Sequence, residues 1–97
     1  MIGYSSSKSA LIGLVKSLGK ELAQTNITVN GIAPALISSE MNTDTDPKML
    51  EYMIEKIPMR RTGTVDEVAS LCAWICSEES SFNTGAIFDI SGGRATY

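Results

Sequence analysis

The sequence predicts an α/β fold in which helices alternate with the strands of a parallel sheet. Three observations support this: an N-terminal apolar stripe with helical period, the run ITVNGIA (27–33), and a second short run, AIFDIS (86–91), after two further helical patterns. Strands that are separated by helices are joined by a right-handed crossover, which makes the two runs parallel neighbours. The 97 residues fit one small domain, 1–97, or part of a larger one.

The first helix is predicted over residues 3–24. Its apolar stripe consists of Leu11, Leu14, Val15, Leu18 and Leu22. Its opposite side carries only small residues, namely Ser6, Ala10, Gly13 and Ser17. Small side chains allow another helix to approach closely, so this side is either a plain solvent surface or a subunit contact.

The first strand, 27–33, is apolar on both faces, as in a buried parallel sheet, and Pro34 is expected to end its ladder. The polar segment 35–46 is predicted to be a loop. Asp46-Pro47 then supplies an N-cap and a proline at the first helical position. The stripe of this second helix, which continues to Pro58, consists of Met49, Leu50, Met53, Ile54 and Ile57.

The third helix begins at a capping box, Thr64-x-x-Glu67, and is predicted to end at about Ser77. Its buried face is expected to contain Val68, Leu71, Cys72 and Ile75. The second strand, 86–91, is followed by Gly92-Gly93. A two-stranded parallel sheet with an unpaired inner edge is a poor independent domain. We therefore expect the isolated chain to expose that edge, to self-associate, or to belong to a longer protein.

Composition excludes several classes of partner. The hydrophobic content of 43% is typical of a globular protein, and the net charge is −3 with no basic cluster. Nucleic acid and anionic membrane are therefore not expected partners. No apolar run has the length of a membrane span and no signal-peptide pattern is present, so a cytoplasmic location is predicted.

Residue counts also limit the chemistry. The only cysteines, Cys72 and Cys76, have a spacing that does not match a C-x-x-C redox pair, and they are expected to be small, buried or half-buried thiols. There is no histidine, so the sequence offers no plausible zinc ligand set and no metal site is predicted. Proton transfer would fall to tyrosine, lysine or carboxylates.

Tyr4 and Lys8 form the one recognisable pair of chemical groups. Four residues apart on a helix, their side chains share one face, with Cβ atoms about 5–6 Å apart. A nearby ammonium lowers the pKa of a phenol from its usual value of about 10, which would let Tyr4 exchange a proton at an alcohol or carbonyl. The spacing alone is common, and an amphipathic tyrosine beside a solvated lysine explains it equally well.

Several further blocks follow this pair in order: ITVNGIAPALISS, IPMRRTGTVDEVASLCAWICSEES and NTGAIFDISGG. Together with YSSSK they resemble the C-terminal half of the short-chain dehydrogenase/reductase family, from Tyr4 to Gly93. The resemblance implies the C-terminal part of a Rossmann-like, doubly wound parallel sheet. The family's Gly-rich phosphate turn, its N-A-G segment and its catalytic serine lie upstream of the tyrosine, so the N-terminal dinucleotide-binding half is expected to be absent from these residues.

The resemblance implies an NAD(P)-dependent oxidoreductase that interconverts an alcohol and a carbonyl. Tyr4 would be the general acid/base, and Lys8 would lower the tyrosine pKa and bind the nicotinamide ribose, which makes both residues part of the cofactor site. The choice between NAD and NADP is left open. Without the phosphate-binding half, the isolated chain is expected to be inactive.

A second cofactor segment is implied after the first strand. PALISS resembles the family's P-G-x-[IV]-x-T pattern, which places Pro34, Ala35, Ile37 and Ser39 at the cofactor. Two residues depart from the pattern, because Ala35 stands where the family has glycine and Ser39 where it has threonine. Residues 36–57 would form a loop and helix over the substrate.

The implied partners are a small-molecule alcohol or carbonyl substrate and further copies of the chain, in a homodimer or homotetramer. The polar loop favours a polyol or sugar-type substrate over a long acyl chain. Arg60-Arg61 is interpreted as a connection that positions the next helix, in preference to an anion site. The alternative function is a truncated, non-catalytic fragment that acts only by self-association or subunit contact.

Overall fold

A computed structural model describes residues 2–38 and 46–95 of the chain, without the side chains of Ile2, Tyr4 and Ser5. Within these two ranges, three helices and four short strands follow one another, and the strand pairs are parallel. The α/β prediction is therefore confirmed. In chain order the elements are α1 (Ile2–Glu21), β1 (Gly31–Pro34), β2 (Ile37–Ser38), α2 (Pro47–Glu55), β3 (Gly63–Thr64), α3 (Val65–Ile75) and β4 (Ile87–Ile90).

The central pair joins β1 to β4 in parallel, from Gly31 opposite Ile87 to Pro34 opposite Ile90. This confirms the predicted parallel neighbours, but β1 begins later than the predicted 27–33. The Val29 N–H donates to a side chain, the Thr84 Oγ1 at 3.1 Å, and not to a strand carbonyl.

The ladder also continues past its predicted end, since Pro34 lies within β1 and the Ala35 N–H donates to the Ile90 carbonyl at 3.2 Å. A proline lacks only the donor, so its own carbonyl and the next N–H remain available to the ladder. Asn30 links the segments that precede β1 and β4. Its side-chain amide donates to the Asn83 carbonyl at 3.1 Å and accepts from the Ala86 N–H at 3.2 Å.

The second pair, β2 with β3, was missed within the predicted loop 35–46. The Gly63 N–H donates to the Leu36 carbonyl at 3.0 Å, and the Ser38 and Thr62 hydroxyl oxygens are 2.7 Å apart. A pair only two residues long has no periodicity that a sequence pattern could reveal.

The helix starts agree with their predicted caps. The Asp46 carboxylate accepts from the Lys48 N–H at 3.0 Å, and Thr64 and Glu67 form both hydrogen bonds of the capping box. The helix ends are earlier than predicted, at Glu21, Glu55 and Ile75. Turns replace the final residues; for example, the Thr25 hydroxyl donates to the Leu22 carbonyl at 2.6 Å.

The apolar core is small. Among the described residues only Val15 and Ile57 are buried apolar side chains, supported by the edge-to-face contact of Trp74 with Phe88 at 5.9 Å between ring centroids. The predicted stripe of α1 is therefore only partly buried, because Leu11 and Leu14 are 62% and 54% exposed.

The prediction of buried thiols is wrong, since Cys72 and Cys76 are both exposed. On α3 the side chains of Val68, Leu71 and Ile75 are half-buried. The cysteines lie one residue beyond Leu71 and Ile75, and the 3.6-residue period turns them by about 100° away from that face.

A close backbone contact fixes the end of α1 against the turn before β4. A Cβ added to Gly19 would lie 2.5 Å from both the Cα and the N of Gly85, which has φ +69°. Gly19 is buried, although the small-residue side of α1 at Ser6, Ala10, Gly13 and Ser17 is exposed. The helix can approach the turn only because neither residue has a side chain at this point.

Within residues 2–38 and 46–95, no helix combines the length and apolarity that crossing a membrane requires.

Candidate active site

The N-terminal part of α1 places the predicted acid/base pair. Tyr4 and Lys8 both lie in this helix, about one turn apart, so the two positions share one face of the helix. The Tyr4 side chain lies outside the described part of the structure. Lys8 is exposed and lines a groove between α1 and β1.

This groove has a volume of ≈ 580 Å³. Its walls are mostly apolar, and its polar groups come from Ser7, Lys8 and Asn30. The remaining lining residues are Leu11, Ile12, Val15, Gly31, Ile32, Ala33, Pro34 and Ile87. Such a groove, apolar with a few polar groups at one end, is typical of a small-molecule site.

Packing of α1 over β1 explains why the groove forms. A Cβ on Gly31 would lie 2.9 Å from Ile87 Cδ1 and 3.6 Å from Val15 Cγ2, so the glycine lets the helix approach the strand. Because β1 and β4 are parallel, their carboxyl ends meet at one edge of the sheet. In open α/β sheets, ligands bind in the crevice outside the carboxyl ends of the strands, and Pro34 stands at that end.

The structure brings only part of the predicted cofactor set together. Lys8 and Pro34 line the same groove. Ala35 is exposed and lines a separate hollow, and Ile37 lies in β2 opposite Gly63. Ser39 lies outside the described residues. The cofactor roles of these residues therefore stay predictions.

The separate hollow, which we call the edge hollow, has a volume of ≈ 420 Å³ and was missed in the sequence. It is lined by Ala35, Leu36, Tyr52, Met53, Lys56, Ile57 and Arg94. Lys56 Nζ lies 4.7 Å from the centroid of the Tyr52 ring, within the range of a cation–π contact. The one sequence signal of this contact is the i, i+4 spacing of Tyr52 and Lys56.

Arg61 contacts the start of α3, which agrees with the interpretation of Arg60-Arg61 as a connection that positions this helix. Its guanidinium forms a bidentate pair with Glu67, with both N–O distances 2.9 Å, and Glu67 also accepts from the Thr64 N–H at 2.9 Å. The hydrogen bond from Arg61, followed by that from the Thr64 backbone, lowers the pKa of Glu67 to about 2. The same pairing raises the pKa of Arg61.

This pair predicts an acid-dependent loss of stability. Because the pKa of Glu67 falls from 4.5 to about 2 on folding, its contribution is complete above pH 4.5 and is lost as the pH falls towards 2. We expect Glu67→Gln to lower the urea midpoint at pH 7 and to have a much smaller effect at pH 2. Glutamine retains the capping-box acceptor, so the difference isolates the charge.

Glu51→Gln is the matched control, because Glu51 is exposed on α2 and its carboxylate has no hydrogen bond or ion pair in the described part of the structure. Its effect on the urea midpoint should not depend on pH over this range. A Glu67→Gln effect that is equally large at pH 2 and pH 7 would contradict the ion-pair account.

The parallel strands and the lysine-bearing helix define an α/β protein with a groove between α1 and β1 that extends to Pro34 at the end of the strand. The family model described as enoyl-(acyl carrier protein) reductase matches residues 2–95. The chain belongs to the short-chain dehydrogenase/reductase family, and it carries part of that family's Rossmann-like fold.

Similar proteins include dehydrogenases and reductases. A 2-dehydro-3-deoxy-L-rhamnonate dehydrogenase (NAD(+)) of Sphingomonas is 45% identical over 94 residues, which are 97% of this chain and 38% of that protein. An acetoacetyl-CoA reductase of Cupriavidus necator is 40% identical over 90 residues, 93% of this chain and 37% of that protein. The chain thus spans less than two-fifths of the length of these curated relatives.

A solved structure of another reductase also matches nearly the whole chain, and the match covers only part of that structure's own length. The crystal structure of a 3-oxoacyl-(acyl-carrier protein) reductase from Brucella melitensis superposes with a TM-score of 0.90 at 38% identity. The superposition covers 96% of this chain and 35% of the Brucella chain.

Proposed function

We propose that this chain supplies the catalytic helix and the substrate side of an NAD(P)-dependent oxidoreductase that interconverts an alcohol and a carbonyl. The observation that supports this most is the position of Lys8. It follows Tyr4 by one helical turn and lines the groove that ends at Pro34, within a segment that matches a reductase family over residues 2–95.

In this proposal Tyr4 transfers the proton and Lys8 stabilises the phenolate form. The ammonium of Lys8 also fits the ribose hydroxyls of a nicotinamide nucleotide, and the apolar walls of the groove fit its ring. The bound cofactor would supply or accept the hydride. Ala35 is limited to its carbonyl and Cβ as a cofactor contact, because its N–H already donates to the Ile90 carbonyl.

The finer assignments belong to the same proposal. The substrate is a small alcohol or carbonyl compound, the cofactor is NAD or NADP, and the location is cytoplasmic. The name of the Sphingomonas relative includes NAD(+) and a sugar-acid substrate, which agrees with the preference for a sugar-type compound. The cofactor roles of Pro34, Ile37 and Ser39 are retained from the sequence.

A second candidate function, association without catalysis, is favoured by the surface of α1. Leu11 and Leu14 are exposed leucines beside a stretch of exposed small residues, which suits a helix–helix contact with another copy of the chain. A homodimer or homotetramer is compatible with both functions, so oligomeric state alone does not decide between them.

Cofactor binding decides between the two candidates. We define a hybrid enzyme in which this chain replaces the matching segment of the Cupriavidus acetoacetyl-CoA reductase. We expect the hybrid to enhance nicotinamide fluorescence at micromolar NADH or NADPH and to oxidise the cofactor when a carbonyl substrate is added. The isolated 97-residue chain should give no enhancement, because the phosphate-binding turn is supplied by the other segment.

The control is a hybrid that carries Lys20→Ala, since Lys20 is exposed near the end of α1 and does not line the groove. It should bind the cofactor normally. A folded hybrid that binds neither cofactor would contradict the oxidoreductase proposal and leave association as the function.

A further inference from the structure

We propose that the edge hollow binds the carboxylate of the substrate, so that the enzyme acts on oxo acids and their hydroxy acids. This inference rests on the proposed function and specifies its substrate class. The groups that would hold the carboxylate are the two cations of the hollow, Lys56 and Arg94.

The charge of the hollow differs from that of the chain as a whole. The net charge of the chain is −3, yet the hollow is lined by two cations and no acidic residue. A neighbouring hollow contains Arg61 together with Glu67 and Asp89, and there the arginine is already occupied by Glu67. In the described part of the structure, the Arg94 guanidinium has no hydrogen bond or ion pair.

Backbone contacts hold the two chain segments that carry these cations against each other. The segment after α2 packs on the Gly92-Gly93 turn, and the Met59 N–H donates to the Gly92 carbonyl at 3.1 Å. A Cβ on Gly92 would lie 2.8 Å from Ile57 Cγ2, and one on Gly93 would lie 3.1 Å from Pro58 Cγ. Both glycines have positive φ, +63° and +94°, which favours residues without a side chain.

The hollow also suits the rest of an oxo acid. Leu36, Met53 and Ile57 provide apolar contacts for a carbon chain. The C-terminus of α2 adds a partial negative charge of about −0.5, but two full positive charges outweigh it. Carboxylates bind such groups through charge-assisted hydrogen bonds, and arginine can bind both carboxylate oxygens.

The hollow and the groove that contains Lys8 have consecutive residues of the chain in their linings. Pro34 lines the groove that contains Lys8, and Ala35, the next residue, lines the hollow. Consecutive Cα atoms are about 3.8 Å apart, so the two linings meet at this point of the chain. In the proposal, the acid lies across this boundary, with its carboxylate in the hollow and its carbonyl towards the groove.

A binding experiment on the 97-residue chain tests this directly. Levulinate and its uncharged amide, levulinamide, are titrated separately and followed by amide chemical shifts in NMR. We expect Kd for levulinate to be at least about tenfold lower than Kd for levulinamide, with shifts centred on Ala35 and Arg94. Lys56→Gln and Arg94→Gln should each raise Kd for levulinate by about 10- to 100-fold.

Lys48→Gln is the matched control, because Lys48 is an exposed cation on α2, the helix that ends next to Lys56, and does not line the hollow. It should leave Kd within about twofold. Equal affinity for the acid and the amide, or an equal loss in all three variants, would overturn the inference.

Kinetics of the hybrid enzyme separate this inference from the proposed function. Arg94→Gln should lower kcat/KM for levulinate by about 10- to 100-fold and leave kcat/KM for levulinamide within about twofold. Reduction of both ketones with equal kcat/KM would overturn the carboxylate site and leave the oxidoreductase intact. A hybrid that reduces neither ketone would contradict the proposed function, and the binding experiment then decides the carboxylate site alone.

Discussion

Replacement of Tyr4 with phenylalanine is expected to lower kcat of the hybrid enzyme by about 10²–10⁴-fold and to leave its Kd for NAD(P)H within about twofold. The change removes one hydroxyl and keeps the ring, so it removes the proposed proton donor without emptying the space that the tyrosine occupies. Lys8→Ala is expected to lower kcat and also to weaken cofactor binding, because Lys8 lines the groove in which the ribose would lie.

Turnover is measured by the loss of NAD(P)H absorbance, and binding by nicotinamide fluorescence. Lys16→Ala is the matched control for Lys8→Ala, because Lys16 is an exposed lysine on the same helix that does not line the groove. It should affect neither quantity by more than about twofold. A Tyr4→Phe hybrid with nearly normal kcat would refute the assignment of Tyr4 as acid/base.

Gly19→Ala is expected to give the largest loss of stability. Its Cβ would meet the Gly85 backbone at 2.5 Å, and neither partner atom can move without shifting α1 or the turn before β4. Overpacking of this kind costs about 1–3 kcal/mol or more, whereas alanine itself favours a helix over glycine by about 1 kcal/mol. Because the clash is with backbone atoms, we expect a cost near the upper end of this range and a net loss of about 2 kcal/mol in the free energy of unfolding.

Gly13→Ala provides the comparison on the same helix, since its Cβ meets nothing within 4 Å. It should stabilise the protein by about 0.5–1 kcal/mol. Both variants are compared with the parent hybrid by urea unfolding monitored by circular dichroism. Gly19→Ala unfolding at the same urea concentration as Gly13→Ala would show that the contact with Gly85 is not maintained in solution.

Local chemistry explains which parts of the fold were predictable. The starts of α2 and α3 depend on the side chains of Asp46 and Thr64, which accept hydrogen bonds from N–H groups two and three residues further along the chain. Because these contacts are local, the sequence reveals both helix starts. Just before β1, the Val29 N–H donates to the Thr84 hydroxyl, far along the chain, and no local pattern contains that contact.

Burial was less predictable, because it depends on what packs against each face. The stripe of α1 has helical period, but only Val15 of its described members is buried. Its neighbour Leu11 lines an open groove. The exposed Cys72 and Cys76 show the same limit, since a thiol is apolar enough for a core and small enough for a surface.

The candidate site was predictable where motifs are local and not where the chain folds back. Tyr4 and Lys8 share one turn of helix, so the sequence places them together. Lys56 and Arg94 line one hollow because the Gly92-Gly93 turn packs on the segment after α2. The proposed carboxylate site therefore depends on a contact between distant segments that no local pattern contains.

The pH dependence of the hybrid enzyme tests most directly whether Tyr4 and Lys8 act as one unit. The usual pKa of a tyrosine is about 10. If a nearby ammonium lowers the pKa of the Tyr4 phenol, kcat/KM for alcohol oxidation should rise with pH to a plateau, with an inflection well below pH 10. Lys8→Ala should move this inflection towards pH 10, and Lys16→Ala should leave it in place. An inflection that is the same with and without Lys8 would contradict the account.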